Sequence, residues 1–227
     1  MKVWITRTRP GADQTAARLA VLGIDSLIDP VLEVRPLGVT PDLPGYAALA
    51  FTSPNGVAAF ADLTADRSLP AFAVGEATAE ALREAGFDRV EAAAGDLEGL
   101  AALLIQRRPG PVLAPGPTEP AGDLSAMTAG AGVSVTALPI YETVARRAAE
   151  AVAAGNLNAV LVHSAKAARV LAGDAANRLT GLAVLALSEA CAAPLRGLPV
   201  KSIAVAPFPD DASLARLTAD TLSDANP

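Results

Sequence analysis

The chain has 227 residues, 52% of them hydrophobic and 19% charged, with a formal net charge of −6. That length allows one large domain or two small ones, and that composition excludes a disordered or fibrous chain. The acidic balance argues against bulk nucleic-acid binding, the single Cys191 excludes a disulfide scaffold or a multi-cysteine cluster, and the single His163 excludes a His-cluster metal site.

The opening MKVWITRTRPGA lacks the apolar core of a secretory signal, and no apolar run reaches the length of a membrane span. Both point to a cytoplasmic protein that does not engage a membrane. In chain order, β-rich runs are predicted at 3–6, 26–34, 47–51, 71–74, 89–92, 112–114, 133–141, 159–162, 183–187 and 202–206. Helices are predicted near 11–22, 54–64, 76–85, 97–107, 119–130, 145–154, 165–172, 189–196 and 211–222, where apolar residues recur at three and four spacings. Such alternation marks an α/β protein with parallel sheets, and ten strands fit two five-stranded units better than one. A weak repeat agrees. ALAFTSPNGVAAFA (48–61) lies over AVLVHSAKAARVLA (159–172) at an offset of 111, and 71–82 lies over 184–195 at an offset of 113.

Two segments break the alternation. LIDPVLEVRPL (27–37) and VTALPIYETVA (135–145) are extended and carry Pro30, Pro36 and Pro139, which suit edge or linker strands. Paired with each other they would form a double crossover. The expected organisation is a discontinuous domain of 1–34 plus 145–227 and an inserted domain of 38–137. The linker strands would run at about 29–37 and 136–144.

In open parallel sheets, ligands bind beyond the carboxyl ends of the strands. Those ends read TRTRP after the first strand, TSPN after 47–51, GE after 71–74, HSAK after 159–162 and SE after 183–187. Ser53 followed by Pro54 reads as a helix cap with proline at the first helical position, and Ser164 and Ser188 are further cap candidates. One reading gives these residues capping alone. The other sets helix N-termini, Arg7, Arg9 and Lys166 around an anion. Tyr141, one of two tyrosines, reads either as a core residue or as a proton donor at a domain junction. Tyr46 and Trp4 read as structural. No phosphate loop, nucleophile elbow or GxGxxG turn is present, so a nucleotide cofactor is not expected.

Taken together and in order, these motifs resemble the uroporphyrinogen-III synthase family over the whole chain. The resemblance rests on VWITRTRPGADQTAARLAVLG, DPVLEVRPL, LAFTSPNGVAAF, AVGEATAEALREAGF, ALPIYETV, VLVHSAKAARVL, ALSEACAAPL and IAVAPFPDDASLARL. It implies two flavodoxin- or Rossmann-like parallel-sheet α/β domains joined by a two-stranded linker. It also implies a lyase that needs no cofactor or metal. The substrate would be hydroxymethylbilane, a linear tetrapyrrole with eight carboxylates. The enzyme would remove its hydroxyl as water, invert the last pyrrole ring and close the macrocycle to uroporphyrinogen III, in haem, cobalamin or chlorophyll biosynthesis.

The resemblance assigns Tyr141 as the proton donor to the leaving hydroxyl. It assigns substrate binding to Thr6, Arg7, Arg9, Thr52, Ser53, Asn55, Gly75, Thr78, Ser164, Lys166 and Ser188. Three departures stand out. His163 precedes Ser164 where a hydroxyl is common in the family, Ala206-Pro207-Phe208-Pro209 ends the last strand where Ser or Thr is common, and Pro194 should kink or shorten its helix. The residues predict a monomer. The pathway adds a transient contact with hydroxymethylbilane synthase, for which no residue in the sequence speaks. A non-catalytic two-lobe protein that closes on a small anion is the alternative, and a degenerate interaction module is a third reading.

Overall fold

The computed structural model describes residues 1–147, 156–174 and 176–223. The strands are β1 (Lys2–Ile5), β2 (Asp25–Ile28), β3 (Leu32–Pro36), β4 (Ala48–Phe51), β5 (Ala71–Ala73), β6 (Val90–Ala92), β7 (Val112–Pro117), β8 (Val135–Ala145), β9 (Ala159–Val162), β10 (Ala183–Ala186) and β11 (Ser202–Val205). The helices are α1 (Gly11–Val21), α2 (Pro54–Leu63), α3 (Glu76–Glu84), α4 (Leu97–Arg107), α5 (Leu124–Ala129), α6 (Ala165–Asp174), α7 (Glu189–Ala192) and α8 (Asp211–Ser223). The chain divides into two compact units: Met1–Glu33 with Val144–Pro227, and Val34–Thr143.

Unit 1 holds the sheet β11-β10-β9-β1-β2, parallel throughout. Counted along the chain within that sheet, the order is 2-1-3-4-5, as in flavodoxin-like folds. Its switch point lies between β1 and β9. Unit 2 holds β3-β8-β7-β4-β5-β6. The strands from β8 to β6 are parallel, and their order is the 3-2-1-4-5 of a Rossmann sheet read from the far edge. Its switch point lies between β4 and β7. At the edge, the Leu37 N–H donates to the Ile140 carbonyl at 3.0 Å, and the Arg146 N–H donates to the Val31 carbonyl at 2.8 Å. Those partners run in opposite senses, so β3 is antiparallel to β8.

The central strands are unbroken apolar runs, ALAF in β4, AVLV in β9 and AVLA in β10, because both sheet faces are covered. In unit 1, Trp4, Val160 and Leu171 pack on one face, and Ile5, Leu19 and Leu214 on the other. In unit 2, Phe51, Phe60, Phe87 and Tyr141 share one face, and Leu100, Leu104 and Val135 the other. The repeat has a structural counterpart. β4 and β9 each adjoin a switch point, and each leads into a helix whose cap is a serine. Ser53 Oγ accepts from the Gly56 N–H at 3.2 Å, and Ser164 Oγ from the Ala167 N–H at 3.1 Å.

Several boundaries differ from the sequence reading. The strand expected over 26–34 is two strands, broken around Pro30, which has no N–H to give a ladder. The extra strand makes the second sheet six-stranded, with β3 at its edge. The helix expected at 119–130 begins only at Leu124. Pro120 and Gly122 precede it, and the Asp123 carboxylate accepts from the Ala126 N–H at 3.0 Å to start it. The helix expected at 189–196 stops at Ala192 and tightens into a 3₁₀ turn through Pro194. Of the helix expected at 145–154, Ala145 closes β8, while 148–155 lie outside the described residues.

Candidate active site

Unit 2 places Tyr141 through an irregularity in β8. Gly116 pairs with Pro139 and Pro117 with Tyr141, so Ile140 is one residue too many for β7. An extra residue of this kind bends a strand and re-aims its side chains. Strict alternation would send Ile140 and Tyr141 to opposite faces; here both join the Phe51 cluster, 0% and 3% exposed. The ring lies in the core. The hydroxyl reaches the carboxyl edge of the sheet, 3.2 Å from Ser53 Oγ. Burial pushes the Tyr141 phenol above its ordinary pKa, and the Ser53 bond pulls it part of the way back.

Ser53 is fixed by its own turn. It is extended, Pro54 opens α2, and Oγ caps the helix. Gly56 explains how α2 comes so close to β7: a Cβ there would meet the Pro115 carbonyl oxygen at 3.3 Å. A cavity of about 420 Å³ opens at the same carboxyl end but on the other face of the sheet, lined by Ala50, Thr52, Pro117, Leu124, Val135 and Pro139; neither Ser53 nor Tyr141 lines it. It therefore sits at the switch point of unit 2, where an open α/β sheet takes its ligand.

The switch point of unit 1 carries a charged cluster centred on Asp211. Its Oδ1 accepts from Thr15 Oγ1 at 2.7 Å and from Arg7 at 3.4 Å, and pairs with His163 Nε2 at 3.1 Å. Arg18 Nε lies 3.2 Å from Oδ2, as an ion pair without hydrogen-bond geometry. Burial alone would raise the Asp211 pKa, but the bonds from His163 and Thr15 and the charge of Arg7 hold it below the usual carboxylate value. A carboxylate only accepts, so His163 Nε2 carries the proton. Nδ1 is then a buried atom with no partner among the described residues. Burial lowers the His163 pKa more than the Asp211 bond raises it.

The remaining residues singled out in the sequence fall into three groups. Some are committed to the fold. The Thr6 hydroxyl is buried and donates to the Leu161 carbonyl at 2.7 Å, tying β1 to β9 across the switch point. Thr78 is 2% exposed inside α3. Ser188 stands at the cap position of α7, yet its hydroxyl lies on Cys191 Sγ at 3.3 Å instead of a backbone N–H. Others are cations already paired. Arg7 folds over Gly11 and meets Asp211, and Arg9 pairs with Asp13 one turn along α1. The rest stand at strand ends. Thr52 is exposed, Asn55 and Lys166 are half-buried in the first turns of α2 and α6, and Gly75 caps α3. A Cβ on Gly75 would meet Gly95 Cα at 3.0 Å, which accounts for glycine there.

Sequence reasoning missed Asp211, Thr15 and Arg18. In DDASLARL either aspartate could cap the helix. Asp210 does so, accepting from the Ser213 N–H at 2.7 Å, and leaves Asp211 for the cluster. Among the described residues, no helix is long and apolar enough to cross a membrane.

Comparison with known proteins bears on the family and the fold. The family model described as Uroporphyrinogen-III synthase HemD matches residues 13–216. The fold is shared with uroporphyrinogen-III synthetase from Helicobacter pylori, at TM-score 0.66 and 19% identity over 97% of this chain and 98% of that one. A mutant uroporphyrinogen III synthase from the extremely thermophilic bacterium Thermus thermophilus aligns at TM-score 0.52 and 19% identity over 99% of each chain. No curated protein matches the chain. The solved structures speak for the two-unit α/β fold. The family model spans most of the chain, from within α1 to within α8 and including both strands at the switch point of unit 2, and the chain belongs to the uroporphyrinogen-III synthase family.

Proposed function

We propose that this protein is a uroporphyrinogen-III synthase, converting hydroxymethylbilane to uroporphyrinogen III with loss of water. The observation that carries the reading is the family match across residues 13–216. The carboxyl-edge geometry of unit 2 supports it. A tyrosine hydroxyl is held at the carboxyl edge of that sheet by the serine that caps α2.

The chemistry asks little of strong acids and bases. The hydroxyl leaves a pyrrolic methylene readily, giving an azafulvene cation. Attack through the substituted carbon of the last ring gives a spiro intermediate, and its rearrangement inverts that ring. Closure at the free carbon would give the symmetric I isomer instead. The enzyme's main work is to fold the chain so that the right carbon attacks. Tyr141 donates the proton that turns the leaving hydroxyl into water. Thr52, Asn55, Gly75, Ser164 and Lys166 stand at strand ends or first helical turns, where side chains and backbone N–H groups meet carboxylates. Arg7 and Arg9 contribute less than their charge suggests, because Asp211 and Asp13 already hold them. Nothing in the comparisons favours a non-catalytic anion-binding protein. The enzyme works in the cytoplasm as a monomer and meets hydroxymethylbilane synthase only in passing.

The test is an isomer assay. Hydroxymethylbilane is generated in situ, the purified protein is added without metal or cofactor, the products are oxidised, and isomers I and III are separated. A product that is mostly III is expected. Only isomer I at the spontaneous rate, from folded protein, would overturn the assignment.

A further inference from the structure

We propose that Ser53 is a positioning residue for the proton donor: its hydroxyl donates to the Tyr141 oxygen, leaving the phenol proton for the departing group and steadying the phenolate that remains. The proposal rests on the reading of Tyr141 as that donor.

The argument begins with what a serine hydroxyl can do. It has one proton to give and two lone pairs. One lone pair of Ser53 takes the Gly56 N–H at 3.2 Å. Accepting that bond polarises the hydroxyl and makes its own proton a better donor. The Tyr141 oxygen lies 3.2 Å from Oγ. Ser53 also stands at the N-terminus of α2, whose ten residues direct the positive end of their dipole there. That field favours negative charge on the neighbouring oxygen. A chain of donors results, from the Gly56 amide to Ser53 to Tyr141, and it leaves the last proton for the departing group. The bulge at Ile140 points the phenol at this chain, and the surrounding core holds the ring still. The 3.2 Å separation is long for two hydroxyls, as expected before substrate binds.

The step balances. The phenol O–H bond breaks and its proton joins the leaving hydroxyl oxygen. The methylene C–O bond breaks with its electron pair on oxygen, and water departs. An azafulvene cation and the Tyr141 phenolate remain. Ring closure later releases one proton as the last pyrrole regains aromaticity, and that proton restores the phenol.

The experiment uses the full chain carrying Tyr46→Phe, which leaves Tyr141 as its single tyrosine. Phenolate absorbance is followed against pH, and kcat and KM are measured for Ser53→Ala, Ser53→Thr and Ser53→Asp. Ser53→Ala is expected to raise the phenol's midpoint and lower kcat roughly 3–10-fold, with KM nearly unchanged. Ser53→Thr restores both. Ser53→Asp keeps the helix cap but can only accept from the phenol. It therefore melts like the parent, yet raises the midpoint and slows the reaction at least as much as alanine. An unmoved midpoint in Ser53→Ala or Ser53→Asp overturns the proposal, as does a moved midpoint with unchanged kcat. A Tyr141→Phe variant with unchanged kcat would instead remove the donor reading itself, separating the two failures.

Discussion

Asp211 binds three parts of unit 1 to one another: Thr15 on α1, Arg7 after β1 and His163 after β9. Removing its carboxylate strands a half-buried guanidinium, so Asp211→Ala should cost about 2 kcal/mol in urea unfolding. Its neighbour sets a pH dependence. His163 has a folded pKa below its unfolded value, because burial resists the charged ring. Between those two values the unfolded chain binds more protons, so stability rises with pH there and is fully present above about 6.5. Asp211, with its pKa also depressed, adds a second loss as pH falls below about 3.8. His163→Gln, whose amide can still donate to Asp211, should flatten the upper step and leave the lower one, as read from melting temperature across about pH 2–8. An unchanged upper step would sink this account. Tyr141→Phe should lower kcat about 10–100-fold without abolishing turnover. That is the low end for general-acid catalysis, because the leaving group departs easily. Retention of full activity would exclude the donor role. Little of this was legible in the sequence. Arg7 and Arg9 read as ligand cations because charge is visible in a sequence and its partner is not. Asp211 was hidden behind Asp210, its equal in residue type and one position closer to the cap.

Element boundaries were legible where one residue type acts alone. Ser53 with Pro54 gave the start of α2, and Pro194 the end of α7, because each residue constrains its own backbone. They failed where residues compete. The alanine and leucine content after 119 favours a helix, yet Pro120 and Gly122 oppose it, and the start moved to the Asp123 cap. The bulge at Ile140 left no mark in sequence, since one extra residue in an apolar strand alters neither composition nor period over so short a run. It is nevertheless what sends Tyr141 to the Ser53 face. Caps can be tested separately from the site. Asp96 accepts from the Gly99 N–H at 2.7 Å on an exposed turn of α4, far in sequence from Tyr141. Asp96→Ala should cost about 1 kcal/mol in chemical denaturation, with kcat unchanged. A loss of activity at full stability would mean that α4 bears on the reaction in a way its cap does not explain.

At the scale of the molecule, the same β-strand, serine-capped helix and β-strand succession is used twice, and each sheet reverses strand order beside it. Each of the four core clusters draws its residues from one unit. Unit 2 begins and ends on neighbouring strands, with the Leu37 N–H bonded to the Ile140 carbonyl at 3.0 Å. A chain cut at Val34 and Thr143 therefore loses neither a central strand nor a core side, and its ends lie on one edge of the sheet. Its length is within the ordinary range for an independent domain. Residues 34–143 expressed alone should melt cooperatively, with the circular dichroism of a mixed α/β fold. They should also reproduce the phenolate midpoint of the full chain, because Tyr141, Ser53 and the α2 terminus all lie inside the cut. They should have no synthase activity, because the strand ends of unit 1 are gone. A fragment that folds but shifts the midpoint would mean that the setting of Tyr141 depends on residues beyond unit 2. A fragment that fails to fold would mean that the edge pairing of β3 with β8 cannot close the domain without the rest of the chain.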